Sequence, residues 1–415
     1  VKTSPAISPS TEEGRITHTW QSIVICALLL FVGINLRSVI LAVPPVLPLI
    51  KQDLNLSYTA VGLLTALPIL MTGITAWYSG LLIERIGGRT AIIWGLILLA
   101  LGTLLRAWIS VFALFFFTVV LSIGIALSQT TAPVLVRRWF PNHIGLVTAL
   151  FTDGLIIGET IGAGGTVPLM LLFLGKNNWV ATFIFWGIPV VICLVLWLWL
   201  APPVPSMRRP TPVASEEHLT SIDVPIAPEK KVSVLQLGLI LGSGSLIYFG
   251  MNSWIASYNQ AIHATNLTPL ALTILNAAQL PSSFGVTFFA QRIVGRRWPF
   301  IAAGVVATLN IVAWVFAPPF LEYVWAALLG ASSALVFTLG LALPPLLASP
   351  QKVARVTGAT LSLSYSIAFI GPFIGGSLWD IFGLPAMAFV PVAAASFLLI
   401  VLGLFLPLRS MGHKH

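Results

Sequence analysis

PPVPSMRRPTPVASEEH, residues 202–218, followed by Pro228-Glu229-Lys230-Lys231, interrupts a chain that is otherwise a series of long apolar runs. Proline, serine and charge at this density cannot build a packed element, so residues 201–232 read as a polar linker. On either side lie runs of about 20 or more mostly apolar residues, the length a bilayer-spanning helix needs. Six precede the linker, at 20–49, 57–83, 90–107, 110–136, 143–172 and 178–200. Six follow it, at 233–262, 268–291, 298–317, 321–348, 354–379 and 385–408. The expected organisation is a tail (1–19), a six-helix half (20–200), the linker, a second six-helix half (233–408) and a short tail (409–415).

Composition supports this. Of 415 residues, 57% are hydrophobic and 8% charged, where a soluble domain carries about 25% charged residues. The net charge of +9 does not signal nucleic acid, because the basic residues flank apolar segments and form no continuous face. Cys26 and Cys193 both sit inside apolar runs, so neither a disulfide framework nor a metal site is expected. The first apolar run is longer than a signal-peptide core and lacks a small-residue cleavage pattern, and it reads as a spanning helix.

Lysine and arginine set the topology. With a cytoplasmic N-terminus, only Lys51, Arg106 and Lys176 of the 21 basic residues fall in outer loops, and Arg37 falls inside a segment. Both termini and the linker are then expected on the cytoplasmic side of an inner cell membrane. The halves also repeat. At a shift of 209, residues 140–150 (FPNHIGLVTAL) lie over 349–359 (SPQKVARVTGA). Two related six-helix halves around a midplane cavity form a transporter plan. In this register Asp153 falls on Ser362 and Glu159 on Ala368, so the acids belong to one half only.

Arg37, Asp153 and Glu159 are charges where lipid or packed helix is expected, and such residues are functional-site hypotheses by default. Arg37 lies about 17 residues into its segment and Glu159 about 16 into its own, at similar depths of roughly 25 Å. Asp153 is six residues earlier on the helix, so its direction differs from that of Glu159 by about 120°. Only one of the two acids is expected to face Arg37. A guanidinium offers a planar fork of donors that stays charged, which suits an anion clamp. Burial favours a protonated acid and a nearby arginine favours the ionised one, so an anion competing for Arg37 would let the acid take a proton. The alternative is a structural ion pair with a hydrogen-bonded neutral acid. Tyr248 and Asn252, four apart on one helix face, are candidates to oppose Arg37, and Tyr365 is a third. Helix packing is the competing explanation for these polar groups. Pro44, Pro45 and Pro48 are expected to bend the outer end of the first segment. Gly154, Gly158, Gly162, Gly371 and Gly375 have the small-xxx-small spacing of close helix contacts.

Gly80-Leu81-Leu82-Ile83-Glu84-Arg85-Ile86-Gly87-Gly88-Arg89, between the second and third segments, resembles the G-x-L-x-D-R-x-G-R loop of the major facilitator superfamily. Glu84 stands where the motif has Asp, and the second half has a worn copy at residues 291–297. Asn35-Leu36-Arg37 resembles the N-L-R-P element of the superfamily's cyanate and nitroimidazole transporter branch, with Ser38 in place of Pro; Phe140-Pro141 and Gly145-Leu146-Val147-Thr148 resemble its link between segments 4 and 5. The resemblance implies an all-α integral membrane protein of twelve helices in two pseudo-symmetric halves, a monomer, with no cofactor and no enzyme activity. It implies alternating access; the residues themselves lead to the expectation of a small anionic or polar solute with Arg37, Asn35, Tyr248, Asn252 and Tyr365 at the substrate and Glu159 and Asp153 carrying protons, two acids that are not part of the branch's pattern. Gly80, Glu84, Arg85, Gly87 and Arg89 would form a cytoplasmic gate, with Arg355 as the partner of Glu84. The competing class is an exporter of neutral aromatic drugs, in which Arg37 is structural. The absence of a nucleotide-binding loop argues against ATP drive.

Overall fold

The computed structural model describes residues 19–175, 178–202, 233–293, 295–347 and 353–406. The linker from 203 to 232 and both tails lie outside the described residues. Eleven helical stretches among those described are long and apolar enough to cross a bilayer.

The first stretch joins α1 (Thr19–Leu41) to α2 (Leu47–Asp53) through a 3-10 turn at Pro44–Val46. The prolines break the helix where the sequence leads one to expect a bend, because a proline nitrogen cannot donate to the preceding turn. Next come α3 (Tyr58–Ile86), α4 (Gly88–Leu105) and α5 (Val111–Trp139). Gly87 separates α3 from α4 at φ 80°, a backbone region that favours glycine. The fifth stretch is α6 (Ile144–Thr160), a π-helical turn at Ile161–Gly165, and α7 (Thr166–Leu174); α8 (Trp179–Leu200) follows. Beyond the linker run α9 (Val234–Ala261), α10 (Thr268–Ala277) and α11 (Gln279–Ile293). The last four helices are α12 (Trp298–Phe316), α13 (Glu322–Leu347), α14 (Val353–Phe382) and α15 (Val390–Phe405). The expected eighth segment is the exception to the apolar spans: it is divided at Ala278 into α10 and α11, and neither piece alone has the length to cross. Polar Asn276, Gln279, Ser282 and Ser283 flank that break.

Large apolar side chains such as Phe112, Leu172, Trp199, Phe316 and Phe405 are exposed on the outer surface of the bundle. On a soluble protein such a surface would aggregate; here it is the lipid-facing belt.

Glycine decides how closely the helices meet. A Cβ built on Gly154, Gly158 or Gly162 would lie 2.4, 2.2 and 2.6 Å from the carbonyl oxygens of Leu30, Ile34 and Ser38. Three glycines four apart on α6 and its π turn thus face three residues four apart on α1, a small-xxx-small seam without room for side chains. This seam fixes α6 against α1 and sets the register that brings Glu159 to Arg37.

The two ends of the bundle differ. At the end holding the α2–α3 turn and the C-terminus of α14, packing is tight. A Cβ on Gly62 would meet Pro372 O at 2.2 Å, and one on Gly376 would meet Tyr58 O at 2.2 Å. Asp380 accepts from the backbone N–H groups of Tyr58 (2.9 Å) and Thr59 (2.7 Å) and from the Thr59 hydroxyl (2.6 Å). A carboxylate from α14 therefore supplies acceptors to the bare N–H groups at the start of α3, beside the local cap from Ser57. Tyr58 stacks on Trp379 at 3.9 Å between ring centroids, and Lys51 Nζ lies 4.2 Å from the Tyr58 ring centroid. At the opposite end, Cβ atoms on Gly145, Gly285 and Gly358 would meet nothing within 4 Å, as would one on Gly383 beyond Asp380. The end at Asp380 is closed by contacts between α3 and α14.

Candidate functional site

Between these ends lies a cavity of about 120 Å³. Its walls come from both sides of the linker: Arg37 from α1; Thr152, Leu155, Ile156 and Glu159 from α6; Ser245, Tyr248 and Phe249 from α9. Gln279 and Ser283 of α11, Ser333 and Phe337 of α13 and Tyr365 of α14 complete it.

Arg37 Nε lies 3.5 Å from Glu159 Oε1, with side-chain exposures of 12% and 7%. The second Glu159 oxygen accepts from Gln279 Nε2 at 3.1 Å. The Tyr248 hydroxyl lies beside the same carboxylate but donates to Asn276 Oδ1 at 2.6 Å. A phenol has a single proton to donate, so donation to Glu159 would require releasing Asn276. Asn276 Nδ2 in turn donates to Asn252 Oδ1 at 2.9 Å and to Leu272 O at 2.8 Å. Tyr365 is within electrostatic reach of the Arg37 guanidinium, and the Phe249 ring centroid is 6.0 Å from its Cζ. The result is a buried polar chain running Arg37, Glu159, Gln279 on one branch and Tyr248, Asn276, Asn252 on the other. The chain is only partly satisfied, since Arg37 Nε has no hydrogen-bond partner among the described residues, and in a low-dielectric interior breaking one member leaves the others unpaired at a cost.

Of the residues singled out from sequence, Arg37, Glu159, Tyr248 and Tyr365 converge on the cavity. Asn252 is fully buried and joins the chain through Asn276 without lining the central cavity. Asn35 does not reach it: its side chain is 0% exposed and its amide donates to Phe31 O at 2.8 Å, one turn back on its own helix. Asp153 is half-buried on α6 and is not part of the cavity wall; the six-residue offset turns it away.

The expected gate is reshaped in one respect. Arg89 is engaged within the first six helices, with Nε donating to Ala201 O at 2.9 Å and Nη2 to Leu198 O at 2.8 Å. Its fork satisfies orphan carbonyls at the C-terminus of α8, where a cation is favoured. Arg85 is exposed and lines an open cleft with Tyr78 and Ser79. Gly80 lies within α3, while the side chains of Glu84 and Arg355 lie outside the described residues, and so does their expected pairing.

Sequence reasoning passed over Gln279, Asn276 and Arg106. The first two carry no charge, and their signal is an Asn and a Gln three apart in an otherwise apolar run. Arg106 was assigned to an outer loop. It is instead 1% exposed, with Nη2 donating to Val39 O at 2.8 Å and its Cζ 4.0 Å from the centroid of the Phe183 ring. No group of three or more His, Cys, Asp or Glu that could hold a metal ion occurs among the described residues.

The family model of the Major Facilitator Superfamily matches residues 23–309. An uncharacterized transporter, YycB, of Bacillus subtilis (strain 168) is 26% identical, with 85% of each chain covered. The cyanate transport protein CynX of Escherichia coli (strain K12) is 26% identical over 92% of this chain and 97% of its own length. A 2-nitroimidazole transporter of the same strain is 26% identical over 92% and 95%. Among solved structures, a bacterial homolog of the human lysosomal transporter Spinster, in an inward-facing, unoccupied conformation, superposes with a TM-score of 0.69 at 15% identity, covering 94% of this chain and 95% of that one; at that identity the likeness speaks for the fold. With an all-helical membrane fold, a family match across more than half its length and relatives that are transporters, the chain is a membrane transporter and not an enzyme, and it belongs to the Major Facilitator Superfamily.

Proposed function

We propose that this protein is a secondary active transporter that carries a small anion past Arg37 by alternating access, coupled to protons through Glu159. The observation that carries this reading is the Arg37–Glu159 pair set in the wall of a cavity to which helices from both sides of the linker contribute. A paired arginine and carboxylate form a competitive site. An incoming anion takes up the guanidinium donors in place of Glu159. Glu159, buried and left without its counter-charge, is then neutralised by a proton, since an isolated buried carboxylate is costly. Anion and proton are thus bound together and released together.

Cyanate, nitrate and short carboxylates are the substrates whose chemistry fits one guanidinium with Gln279 and two phenols around it. The similarity to the cyanate transport protein supports this class. The closure at the Asp380 end fits an inward-facing state, given that the positive-inside pattern puts residues 145, 285 and 358 on the cytoplasmic side and Asp380 on the outer one. We place both termini in the cytoplasm, the protein in the inner membrane as a monomer, and the two six-helix halves as the moving bodies.

Proteoliposomes with an acidic exterior test the coupling. Labelled cyanate, nitrate and acetate should each be offered, with and without a protonophore. Accumulation of at least one, abolished by the protonophore, is expected. Uptake of all three that is indifferent to the protonophore would reject proton coupling.

A second reading has its own support. Phe249, Phe337, Tyr248 and Tyr365 line the same cavity, and a relative of equal identity is a 2-nitroimidazole transporter. In that case the cargo is a flat neutral ring stacked between aromatics, and Arg37 serves only as the partner of Glu159.

A further inference from the structure

Arg106 carries a charge that the transport reading above does not use. It is 1% exposed, and among the described residues no carboxylate lies within ion-pair distance of it. Its Nη2 meets Val39 O, a carbonyl left over where α1 ends, because the N–H of Val43 turns to Ile40 O. Its Nε has no hydrogen-bond partner. A buried guanidinium without a counter-charge is expensive, and burial is tolerated when an anion or a full set of acceptors compensates it. One carbonyl and the face of Phe183 leave most of its five donors uncommitted.

The same guanidinium lines a second, smaller cavity of about 20 Å³, together with Thr65, Thr118, Asn252 and Ser253. That is room for one water-sized group. The hydroxyls of Thr65, Thr118 and Ser253 donate to carbonyls of their own helices and Asn252 Nδ2 donates to Tyr248 O, so Arg106 supplies the charged donors that a guest would meet. Phe249 lines both this cavity and the central one. Asn252 links the small cavity to the polar chain at Glu159 through Asn276. The small cavity therefore sits next to the central site, on the sealed side of Phe249, where α3 and α9 face each other.

We propose that Arg106 forms a second binding station for a small monovalent anion of halide size, adjacent to the Arg37 cavity and divided from it by Phe249. The cavity is too small for cyanate, nitrate or a carboxylate, so the station holds a monatomic anion beside the transport path and not the cargo itself. The binding of an anion at Arg106 does not rest on the anion reading of the function.

Bromide is the probe, because its anomalous scattering locates it directly in crystals of the wild-type protein. A bromide peak within about 4 Å of the Arg106 guanidinium, an ion-pair distance, is expected beside one at Arg37. In Arg37→Gln the peak at Arg106 should remain while the central one disappears. In detergent, Arg106→Lys, which keeps the charge and loses the fork, should weaken one of two bromide-binding phases by about tenfold. Bromide at Arg37 alone, or loss of both peaks in Arg37→Gln, would overturn the second station and leave Arg106 as a staple for the end of α1. Bromide at Arg106 with none at Arg37 would uphold the station and reject the central anion clamp instead.

Discussion

Glu159 Oε1 faces Arg37 Nε at 3.5 Å, across the seam where Gly158 of α6 lies against Ile34 O of α1. The ion pair and the glycine contact are one arrangement. Without a side chain at 158, α6 approaches α1 closely enough for the adjacent residue to reach the arginine three positions beyond Ile34. A positive and a negative charge are thereby held together in a cavity wall, which is the state a competing anion and a proton would resolve.

Glu159→Gln keeps the shape and the contact to Gln279 but cannot lose or gain a charge. It should abolish accumulation driven by a proton gradient while retaining exchange of anion against anion. Asp153→Asn, outside the cavity wall, should leave both within about twofold, as expected of a substitution outside the site. Equal loss in the two variants, measured in proteoliposomes, would remove Glu159 from its special place.

Gly158→Ala puts a Cβ 2.2 Å from the Ile34 carbonyl, with backbone on the other side and no flexible end to yield. Overpacking of this kind costs about 1–3 kcal/mol, so the variant should melt several degrees below wild type and lose transport. Gly145→Ala, where the added Cβ meets open space, should change stability by about 0.5 kcal/mol or less. Thermal unfolding in detergent compares the two directly.

Asp380→Ala removes the acceptors that α14 offers to the start of α3. Loss of a cap costs about 1 kcal/mol, which shifts an equilibrium between open and closed ends roughly fivefold. The sealed end should open more often. Cysteine reporters placed on α3 and α14 near that end should label faster in Asp380→Ala than in an otherwise identical protein. Unchanged labelling would mean that the Tyr58–Trp379 stack holds the seal without it.

Tyr248→Phe leaves Asn276 Oδ1 without the phenol proton that it receives at 2.6 Å. An unsatisfied buried acceptor costs about 1–3 kcal/mol. If Tyr248 also exchanges its donation to Glu159 during the cycle, the variant should lower the transport rate more than it weakens substrate binding. A rise in KM at constant maximal rate would assign Tyr248 to the substrate alone.

Much of this was legible in the residues. The apolar runs and the linker gave the helices, because a bilayer imposes length and composition on every span. Arg37 and Glu159 stood out for the same reason, and helical arithmetic separated Asp153 from Glu159. The break at Ala278 was not legible: residues 268–291 are apolar enough on average, and only the amides Asn276 and Gln279 hinted that the segment serves the site. The π turn after Glu159 was equally hidden, since Ile161–Gly165 reads as an ordinary small-residue helix stretch. Arg106 misled because charge near a segment end normally lies in water, and nothing local shows that Val39 O and Phe183 draw it inward. Asn35, two positions before Arg37 on the same helix, points elsewhere by about 200°.

The central claim is that Arg37 holds a small anion. Thermal stability of the purified wild-type protein and of Arg37→Ala should be measured against cyanate, nitrate, bicarbonate, short carboxylates and neutral nitroimidazoles. Stabilisation of the wild type by one of the anions, absent in Arg37→Ala, is the predicted result. Stabilisation by the neutral nitroimidazoles alone, retained in Arg37→Ala, would contradict it and make Arg37 a structural partner in a carrier of aromatic compounds.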